Sequence, residues 1–196
     1  MRQSKTVVGL VLVLALALVG CGSTGSGDIV SETREVGSFD RIEVSSGVTV
    51  EITVDPSASA GVTSIYDDNL QDKILTEVND DTLVIEFQGN VIAPGSGRMV
   101  KVAIPVLVGL RADGGASVHG VGAADELELR AEGGAAVDFE DMIVQTMEVV
   151  MDGGSTATVN TSLEVTGRVT GGATLTLANS PAIRDLDVSG GGNVSG

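Results

Sequence analysis

The sequence contains no tryptophan, one tyrosine, three phenylalanines and a single cysteine among its 196 residues. One cysteine excludes an internal disulfide and a cysteine-based zinc site. Basic residues are also scarce, 11 against 27 acidic ones, which gives a formal charge of -16. Because nucleic-acid binding needs clustered lysine and arginine, this balance argues against a nucleic-acid partner. Glycine is abundant, with 27 residues, and the apolar fraction of 42% is sufficient for the core of one domain.

The amino terminus has the layout of a signal peptide. Residues 1–6 carry Arg2 and Lys5 and no acid, and residues 7–20 form an apolar run. As a helix this run would span about 21 Å, which is short of the roughly 30 Å hydrocarbon core of a bilayer. We therefore predict that residues 1–20 are a signal peptide removed on export and not a permanent transmembrane anchor.

The end of this segment, Leu-Val-Gly-Cys at residues 18–21, resembles the lipobox of bacterial lipoproteins. The resemblance implies that Cys21 is lipidated, becomes the new amino terminus and attaches the protein to a membrane, since each buried CH₂ contributes about 0.8 kcal/mol. The alternative is an ordinary secreted protein. In either case we expect an exported bacterial protein, periplasmic or on the cell surface. Gly22, where an aspartate would signal inner-membrane retention, favours the outer membrane if the organism has one.

Residues 21–35 are predicted to form the lipidated cysteine and a flexible tether, because residues 22–27 read Gly-Ser-Thr-Gly-Ser-Gly. Loss of residues 1–20 removes two basic residues and no acid, which makes the formal charge of the mature chain -18. Such a charge repels anionic lipid headgroups. We therefore expect the following domain, residues 36–196, to be held away from the membrane surface.

A pair of glycines recurs through the carboxyl-terminal half at steps of 19, 20, 18 and 19 residues. The pairs are Gly114-Gly115, Gly133-Gly134, Gly153-Gly154, Gly171-Gly172 and Gly190-Gly191. On both sides of each pair, small or apolar residues alternate with polar ones, which is the period of a strand. A unit of this length is too short for two helices and is rich in valine and threonine. We therefore predict that each unit is a strand, a glycine corner and a second strand.

This repeat predicts an all-β fold, a single-stranded right-handed parallel β-helix with about 19 residues per coil. The right hand follows from the general bias of parallel crossovers. A sharp corner in every coil requires backbone angles that favour glycine. A phosphate-binding loop is the alternative explanation of the glycine pairs, and it is disfavoured because no Lys-Ser or Lys-Thr follows them.

The amino-terminal half is less regular. One copy of the unit surrounds Ser46-Gly47, with strands predicted at 63–66, 74–78 and 82–87. A hairpin turn is predicted at 79–81 and a loop at 90–97, and residues 100–108 predict an apolar strand interrupted by Pro105. We interpret this half as wider, irregular first coils that cap the core, because an open solenoid end exposes unpaired strand edges.

Residues 38–50, Ser-Phe-Asp-Arg-Ile-Glu-Val-Ser-Ser-Gly-Val-Thr-Val, resemble the start of the putative auto-transporter adhesin head GIN domain family. The corners Asp-Gly-Gly-Ala, Glu-Gly-Gly-Ala and Asp-Gly-Gly-Ser, and the segments 69–70 and 104–107, are similar to further parts of that family. The resemblance covers roughly residues 36–196. It implies a β-helical domain of the cell envelope, often carried on a lipoprotein, and no catalytic residues or cofactor.

Three carboxylates precede successive glycine pairs, namely Asp113, Glu132 and Asp152. Two positions before this carboxylate position lie three arginines, Arg111, Arg130 and Arg168, and Val150 interrupts their row. Because residues two apart point to the same face of a strand, we predict that these rows neutralise each other as a surface ion lattice. Such exposed pairs contribute about 0 to 1 kcal/mol each. A calcium site on the three carboxylates is the functional alternative.

Two further groups of polar residues are candidates for chemistry. Asp67-Asp68 with Asp72, and Asp80-Asp81, are interpreted as acidic turns, with calcium binding as the alternative. The single histidine, His119, falls in a column with Asp138, and Ser117 lies two positions before it. We expect a surface histidine beside a carboxylate, or a pH-sensitive contact, and not a catalytic triad.

We predict that the protein is not an enzyme but a lipid-anchored envelope protein that binds or scaffolds, in the manner of an adhesin. Its expected partners are the membrane, through the lipid on Cys21, and either a second copy at the open last coil or a protein or glycan of the envelope. The main alternative is a β-helix that binds or cleaves envelope polysaccharide. The short coils argue against cleavage, because they leave no long loop to wall a cleft. A role beside an envelope stress sensor is a third alternative, to which no residue points.

Overall fold

The computed structural model of the protein describes residues 22–92 and 96–196. The predicted signal peptide, Cys21 and part of the predicted 90–97 loop therefore lie outside the described residues. The strands are β1 (Ser23–Thr24), β2 (Ile29–Arg34), β3 (Arg41–Val44), β4 (Thr49–Val54), β5 (Gly61–Asp67), β6 (Ile74–Asn79), β7 (Thr82–Phe87), β8 (Val91–Ile92), β9 (Met99–Ile104), β10 (Gly109–Ala112), β11 (Ser117–Ala131), β12 (Ala136–Met151), β13 (Thr156–Val169), β14 (Thr174–Leu177), β15 (Ile183–Val188) and β16 (Asn193–Ser195).

The fold is all-β, as predicted, with one short 3₁₀ helix at Asp68–Lys73. Strands β2 to β7 and β9 to β16 belong to one large sheet that is nearly barrel-shaped, and β1 pairs with β8 in a small parallel sheet. In the described part of the chain, no helix is long and apolar enough to cross a membrane.

In the carboxyl-terminal half, paired residues of neighbouring strands are separated in sequence by about the predicted period. Strands β10 to β16 pair in parallel with the strands one unit away. Gly109 lies opposite Glu128, Ser117 opposite Ala136, and Thr156 opposite Thr174. These partners are 19, 19 and 18 residues apart, so equivalent residues of successive units are neighbours in the sheet.

The glycine pairs form the sharp corners between strands. The first glycine of each pair has a positive φ, between 58° and 70°. A Cβ on Gly153 would lie 2.9 Å from the carbonyl oxygen of Gly133, so the stacked corners approach too closely for a side chain. The same corner precedes β4, where Ser46 (φ 59°) and Gly47 (φ 73°) take the left-handed conformation. Backbone angle and close approach thus favour glycine at the stacked corners, although Ser46 takes the equivalent position in the first unit.

Alternating residues of the coils fill the interior. Val118, Val137 and Leu175 are buried in one column. In the next column the fully buried ring of Phe139 lies over Gly120, and a Cβ on Gly120 would be 2.5 Å from that ring. A large side chain in one coil is therefore accommodated by the missing side chain in its neighbour, and the interior is close-packed.

The amino-terminal unit enters the same stack out of chain order. Strand β3 lies between β7 and β10, and β4 lies between β9 and β11, all in parallel. Antiparallel pairs β2–β5, β5–β9 and β6–β7 complete this end. The predicted hairpin joins β6 to β7 at Asp80 (φ 53°), and β9 ends before Pro105. The expected irregular half is thus a mixed parallel and antiparallel structure at one end of the stack.

The predicted flexible tether is not what the structure contains. Ser23 and Gly25 donate backbone hydrogen bonds to the carbonyls of Asn90 (2.9 Å) and Ile92 (3.2 Å). Residues 29–34 form β2, antiparallel to β5. A Cβ on Gly25 would lie 2.6 Å from the carboxylate of Asp67. Gly25, one of the glycines that suggested flexibility, therefore permits close approach of the segment to the body.

Candidate functional site

The outer face of the strands around the corners carries an ion network centred on Arg111. Its Nη2 lies 2.8 Å from Oε2 of Glu132 and 4.0 Å from Oδ2 of Asp113, and its Nε lies 3.8 Å from Oε1 of Glu43. These side chains are partly exposed, so each pair contributes little to stability. Arg130 and Arg168 share the row of Arg111 by register. The predicted surface lattice is therefore present at Arg111 only, because within the described residues neither Arg130 nor Arg168 forms an ion pair.

The carboxylates of the three metal candidates, Asp113, Glu132 and Asp152, accept hydrogen bonds from nearby protein groups. Asp113 and Asp152 each accept a hydrogen bond from the backbone N–H of the following glycine, at 2.5 and 2.7 Å. Glu132 accepts one from Arg111. Among residues 22–92 and 96–196, no three histidine, cysteine, aspartate or glutamate side chains are grouped to hold a metal ion. Each carboxylate is instead used locally, in a turn or an ion pair.

A second cross-strand pair was not foreseen. Arg41 on β3 extends over Gly109 on β10 and donates to Oε2 of Glu128 on β11 at 2.8 Å. A Cβ on Gly109 would be 2.6 Å from this guanidinium. The hydrogen bond from Arg41 lowers the pKa of the Glu128 carboxyl. The sequence alone does not indicate this pair, because the two residues are 87 positions apart and meet only through the out-of-order stacking of β3.

The histidine forms the expected surface pair. Nδ1 of His119 lies 3.4 Å from Oδ2 of Asp138, and both side chains are about half exposed. Ser117 lies on the same outer face, in register with Thr49 and Ala136. The exposed arrangement is that of a surface contact between a histidine and a carboxylate of neighbouring coils.

Asp67 is not the turn residue that was predicted. It ends β5 with its side chain fully buried, and Arg98 donates to both of its carboxylate oxygens, Nη2 to Oδ1 at 2.8 Å. The backbone N–H of Gly27 adds a third hydrogen bond at 2.6 Å. The hydrogen bonds from Arg98 have the largest effect on the pKa of the Asp67 carboxyl. Together with the hydrogen bond from Gly27, they hold this pKa well below its usual range. This buried pair fixes the amino-terminal segment to the body. Asp80, by contrast, lies in the predicted hairpin turn.

The aromatic side chains are mostly interior. Tyr66, Phe39 and Phe139 are buried, and the ring of Tyr66 meets the edge of Phe87 at a centroid distance of 5.4 Å. Burial raises the pKa of Tyr66 to about 12. Beside Tyr66, the buried Gln71 accepts a hydrogen bond from Arg34 at 2.9 Å. These three rings are therefore unavailable as stacking platforms for sugars.

Four large apolar side chains face solvent where the strands bend away from the glycine corners. They are Val106, Ile143, Leu163 and Ile183, which are 55%, 53%, 49% and 48% exposed. They do not stack in one column, because Ile143 lies opposite Asn160 and Ile183 opposite Glu164. Two grooves lie on the same part of the surface. The apolar groove, of about 470 Å³, is lined by Pro56, Pro105, Val106, Leu107, Val108, Ala123, Ala124, Asp125 and Glu126. The acidic groove, of about 380 Å³, is lined by Arg41, Val108, Glu126, Leu127, Glu128, Thr146, Glu148, Glu164 and Thr166.

The fold and these surfaces define an all-β repeat protein whose outer strand faces carry ion pairs. The family described as "Putative auto-transporter adhesin, head GIN domain" matches residues 38–195, and the chain belongs to that family. Two solved structures share the fold. A putative adhesin from Bacteroides fragilis NCTC 9343 is 18% identical, with a TM-score of 0.58. A putative adhesin from Parabacteroides distasonis ATCC 8503 is 17% identical, with a TM-score of 0.59. Each comparison covers 89% of this chain and 99% of the other. The search of curated proteins gives no match.

Proposed function

We propose that the protein is a lipid-anchored, adhesin-like binding or scaffold protein of the bacterial envelope, without catalytic activity. The observation that carries this proposal is the use of polar groups on the outer faces. Arg111 with Glu132, and His119 with Asp138, pair with each other across neighbouring coils. An active site requires such groups to converge on a substrate. Extended strand faces of this kind instead suit contact with another large molecule.

We also infer that the coils form a right-handed parallel β-helix. Parallel pairing between units one period apart supports this inference. The right hand rests on the general preference of parallel crossovers. A stack of this kind holds its faces rigid, which is useful to a protein that presents a binding surface at a fixed position.

The anchor is assigned to Cys21 on the strength of the lipobox. Because Ser23 is hydrogen-bonded to Asn90, an attached lipid would leave the body beside that residue. The amino-terminal end of the stack would then face the bilayer, and the last coil would point away from it. This arrangement replaces the loosely tethered body that composition alone suggested.

Lipid attachment is tested by expressing the full chain in bacteria supplied with labelled palmitate. We expect the wild type to carry label and to enter the detergent phase with the membranes. The Cys21→Ala variant should carry none and remain in the aqueous phase, whereas Ser26→Ala should behave as the wild type. Membrane association of Cys21→Ala equal to that of the wild type would refute the anchor.

One observation favours a second function, the binding or cleavage of envelope polysaccharide. The acidic groove contains Glu128 and Glu148, which are register neighbours, as well as Glu126 and Glu164. Paired carboxylates over a groove are the usual equipment of glycosidases. Incubation of the protein with purified envelope glycans, followed by measurement of released reducing ends, tests it. Release that is abolished by Glu148→Gln would establish this function in place of simple binding.

A further inference from the structure

Strands β15 and β16 form the outermost coil at one end of the stack. Strand β15 pairs only with β13 and β16 only with β14, so in the described part of the chain their other sides have no partner. We call the unpaired side of β15 the β15 edge. The backbone N–H and C=O groups along such an edge can pair with another extended chain. The core is also open here, because Val188 is 44% exposed whereas its register partner Val169 is fully buried.

Arg184 occupies an interior position of this outermost coil. It lies opposite Val165, which continues the buried column of Leu127 and Met147. The guanidinium extends across the open end of the core, where Nη1 lies 3.5 Å from the backbone oxygen of Gly196. None of the ion pairs among residues 22–92 and 96–196 includes Arg184. Since a guanidinium has five N–H donors, most of them remain available to a partner.

The other side chains of β15 complete a pattern of charge and apolar area. Leu186 and Val188 take the next two interior positions, in register with interior positions of β13. Asp185 and Asp187 alternate with them and are exposed on the outer face. Along β15 the interior face therefore presents one positive group followed by two apolar ones, and the outer face presents two carboxylates.

We infer that the β15 edge is the docking site for an extended segment of a partner protein, which adds one parallel strand to the stack, an inference that rests on the proposed binding function. The segment would place a carboxylate opposite Arg184 and apolar side chains opposite Leu186 and Val188. Between these it would carry lysine or arginine, opposite Asp185 and Asp187. Backbone hydrogen bonds would supply affinity, and the alternating side chains would supply specificity. The partner is thus recognised by the order acid, base, apolar, base, apolar.

A second copy of this chain does not meet this pattern. A two-fold axis that pairs β15 with its copy keeps interior residues on the interior face, so Arg184 would meet an arginine or an apolar side chain. Asp185 and Asp187 would meet only carboxylates. Strand β6, at the opposite end of the stack, carries isoleucine, threonine and valine on its interior face and offers Arg184 no acid either. The inward charge therefore selects against copies of the chain and in favour of an acidic partner segment.

The test uses the full chain carrying Cys21→Ala, which avoids detergent. Its probe is a labelled peptide, Thr-Glu-Lys-Val-Lys-Val-Thr, compared with the same peptide carrying glutamine in place of glutamate. Fluorescence anisotropy should show that the glutamate peptide binds about tenfold more tightly, because only its carboxylate can pair with Arg184. General attraction to a protein of formal charge -16 would instead favour the glutamine peptide, which is the more positive of the two.

Reversal of the charge at the edge provides a second measurement. Arg184→Glu should bind the glutamate peptide about tenfold more weakly and should gain binding to a peptide with lysine at that position. The matched control, Arg130→Glu, makes the same change of charge at an exposed arginine of β11 and should leave both affinities as in the parent. Arg184 is also exposed, and circular dichroism verifies that each variant is folded.

Several results would overturn the inference. Equal or tighter binding of the glutamine peptide, or equal changes in Arg130→Glu, would mean that only general charge is sensed. Failure of the glutamate peptide to bind would exclude the occupant directly. Self-association of the parent, detected by light scattering and abolished in Arg184→Glu, would assign the edge to a second copy. None of these measurements involves the lipid, so failure here is distinguishable from failure of the proposed anchor at Cys21.

Discussion

The contact between Gly120 and Phe139 allows a quantitative test of how tightly neighbouring coils are packed. A Cβ on Gly120 would lie 2.5 Å from Cε1 and 2.6 Å from Cδ1 of Phe139, and 3.2 Å from Sδ of Met142. Phe139 is fully buried, so its ring has no room to withdraw by the required distance. We expect Gly120→Ala to cost about 1–3 kcal/mol through overpacking. A gain of about 0.4–1 kcal/mol from the less flexible unfolded chain offsets part of this cost.

A double-mutant cycle with Phe139→Leu tests this contact, because it removes the ring that obstructs the added methyl group. Phe139→Leu alone should destabilise the protein, by less than the about 3–5 kcal/mol that truncation to alanine costs. In the double variant the added methyl group occupies space that the ring has left. The double variant should therefore be more stable than the sum of the single effects predicts, by about 1–2 kcal/mol.

Urea unfolding of the full chain with Cys21→Ala, followed by circular dichroism, measures these differences. In thermal unfolding, each kcal/mol should shift Tm by about 2–4 °C for a domain of this size. Gly37→Ala is the matched control, because its Cβ would meet nothing within 4 Å. Additivity of the two substitutions to within about 0.5 kcal/mol would refute the contact as described.

Two further predictions concern the ends and the corners of the stack. Arg98 holds the pKa of Asp67 low in the folded state, so the stability from their pair is present above the unfolded pKa of about 4 and is lost as the pH falls below it. The urea midpoint of Asp67→Asn should thus lie below that of the wild type at pH 7 and approach it in acid, whereas Asp72→Asn should show no such convergence. At the corners, Gly153→Ala should cost at least about 1–2 kcal/mol, since φ is 70° there. Gly134→Ala, with open space around its Cβ, should change stability by less than about 0.5 kcal/mol.

The regular half of the fold could be predicted because local rules repeat there. Glycine recurs at the corners and the flanking strands alternate, so the period of about nineteen residues predicts the pairing partners close to each corner. The family could be recognised because residues 38–50 are a local sequence pattern. The match over residues 38–195 confirms the family. The hairpin around Asp80 was likewise a local signal.

The parts that could not be predicted depend on contacts distant in sequence. The ion pair of Arg41 with Glu128 requires β3 to enter the stack beside β10. Asp67 resembled a turn residue because nothing nearby in sequence announces Arg98. The glycines in residues 22–27 suggested flexibility, although Gly25 instead permits close packing against Asp67.

The exposure of Ile143 escaped prediction for a different reason. The pairing of β11, β12 and β13 shifts register between His119 and Gly122 and between Phe139 and Ile143. Such shifts break the alternation that separates inward from outward positions. Ile143 therefore could not be assigned to the outer face from its position in the repeat.

The stacked corners also have an evolutionary consequence. Since every coil offers the next the same pairing edge and the same glycine corner, duplication or deletion of one whole unit preserves both. Each added unit would lengthen the molecule by about 4.8 Å. The amino-terminal end, with its buried Asp67 and Arg98, would be unaffected. Relatives could thus differ in reach while keeping the same attachment end, because the length of a repeat stack changes without redesign of its terminal structure.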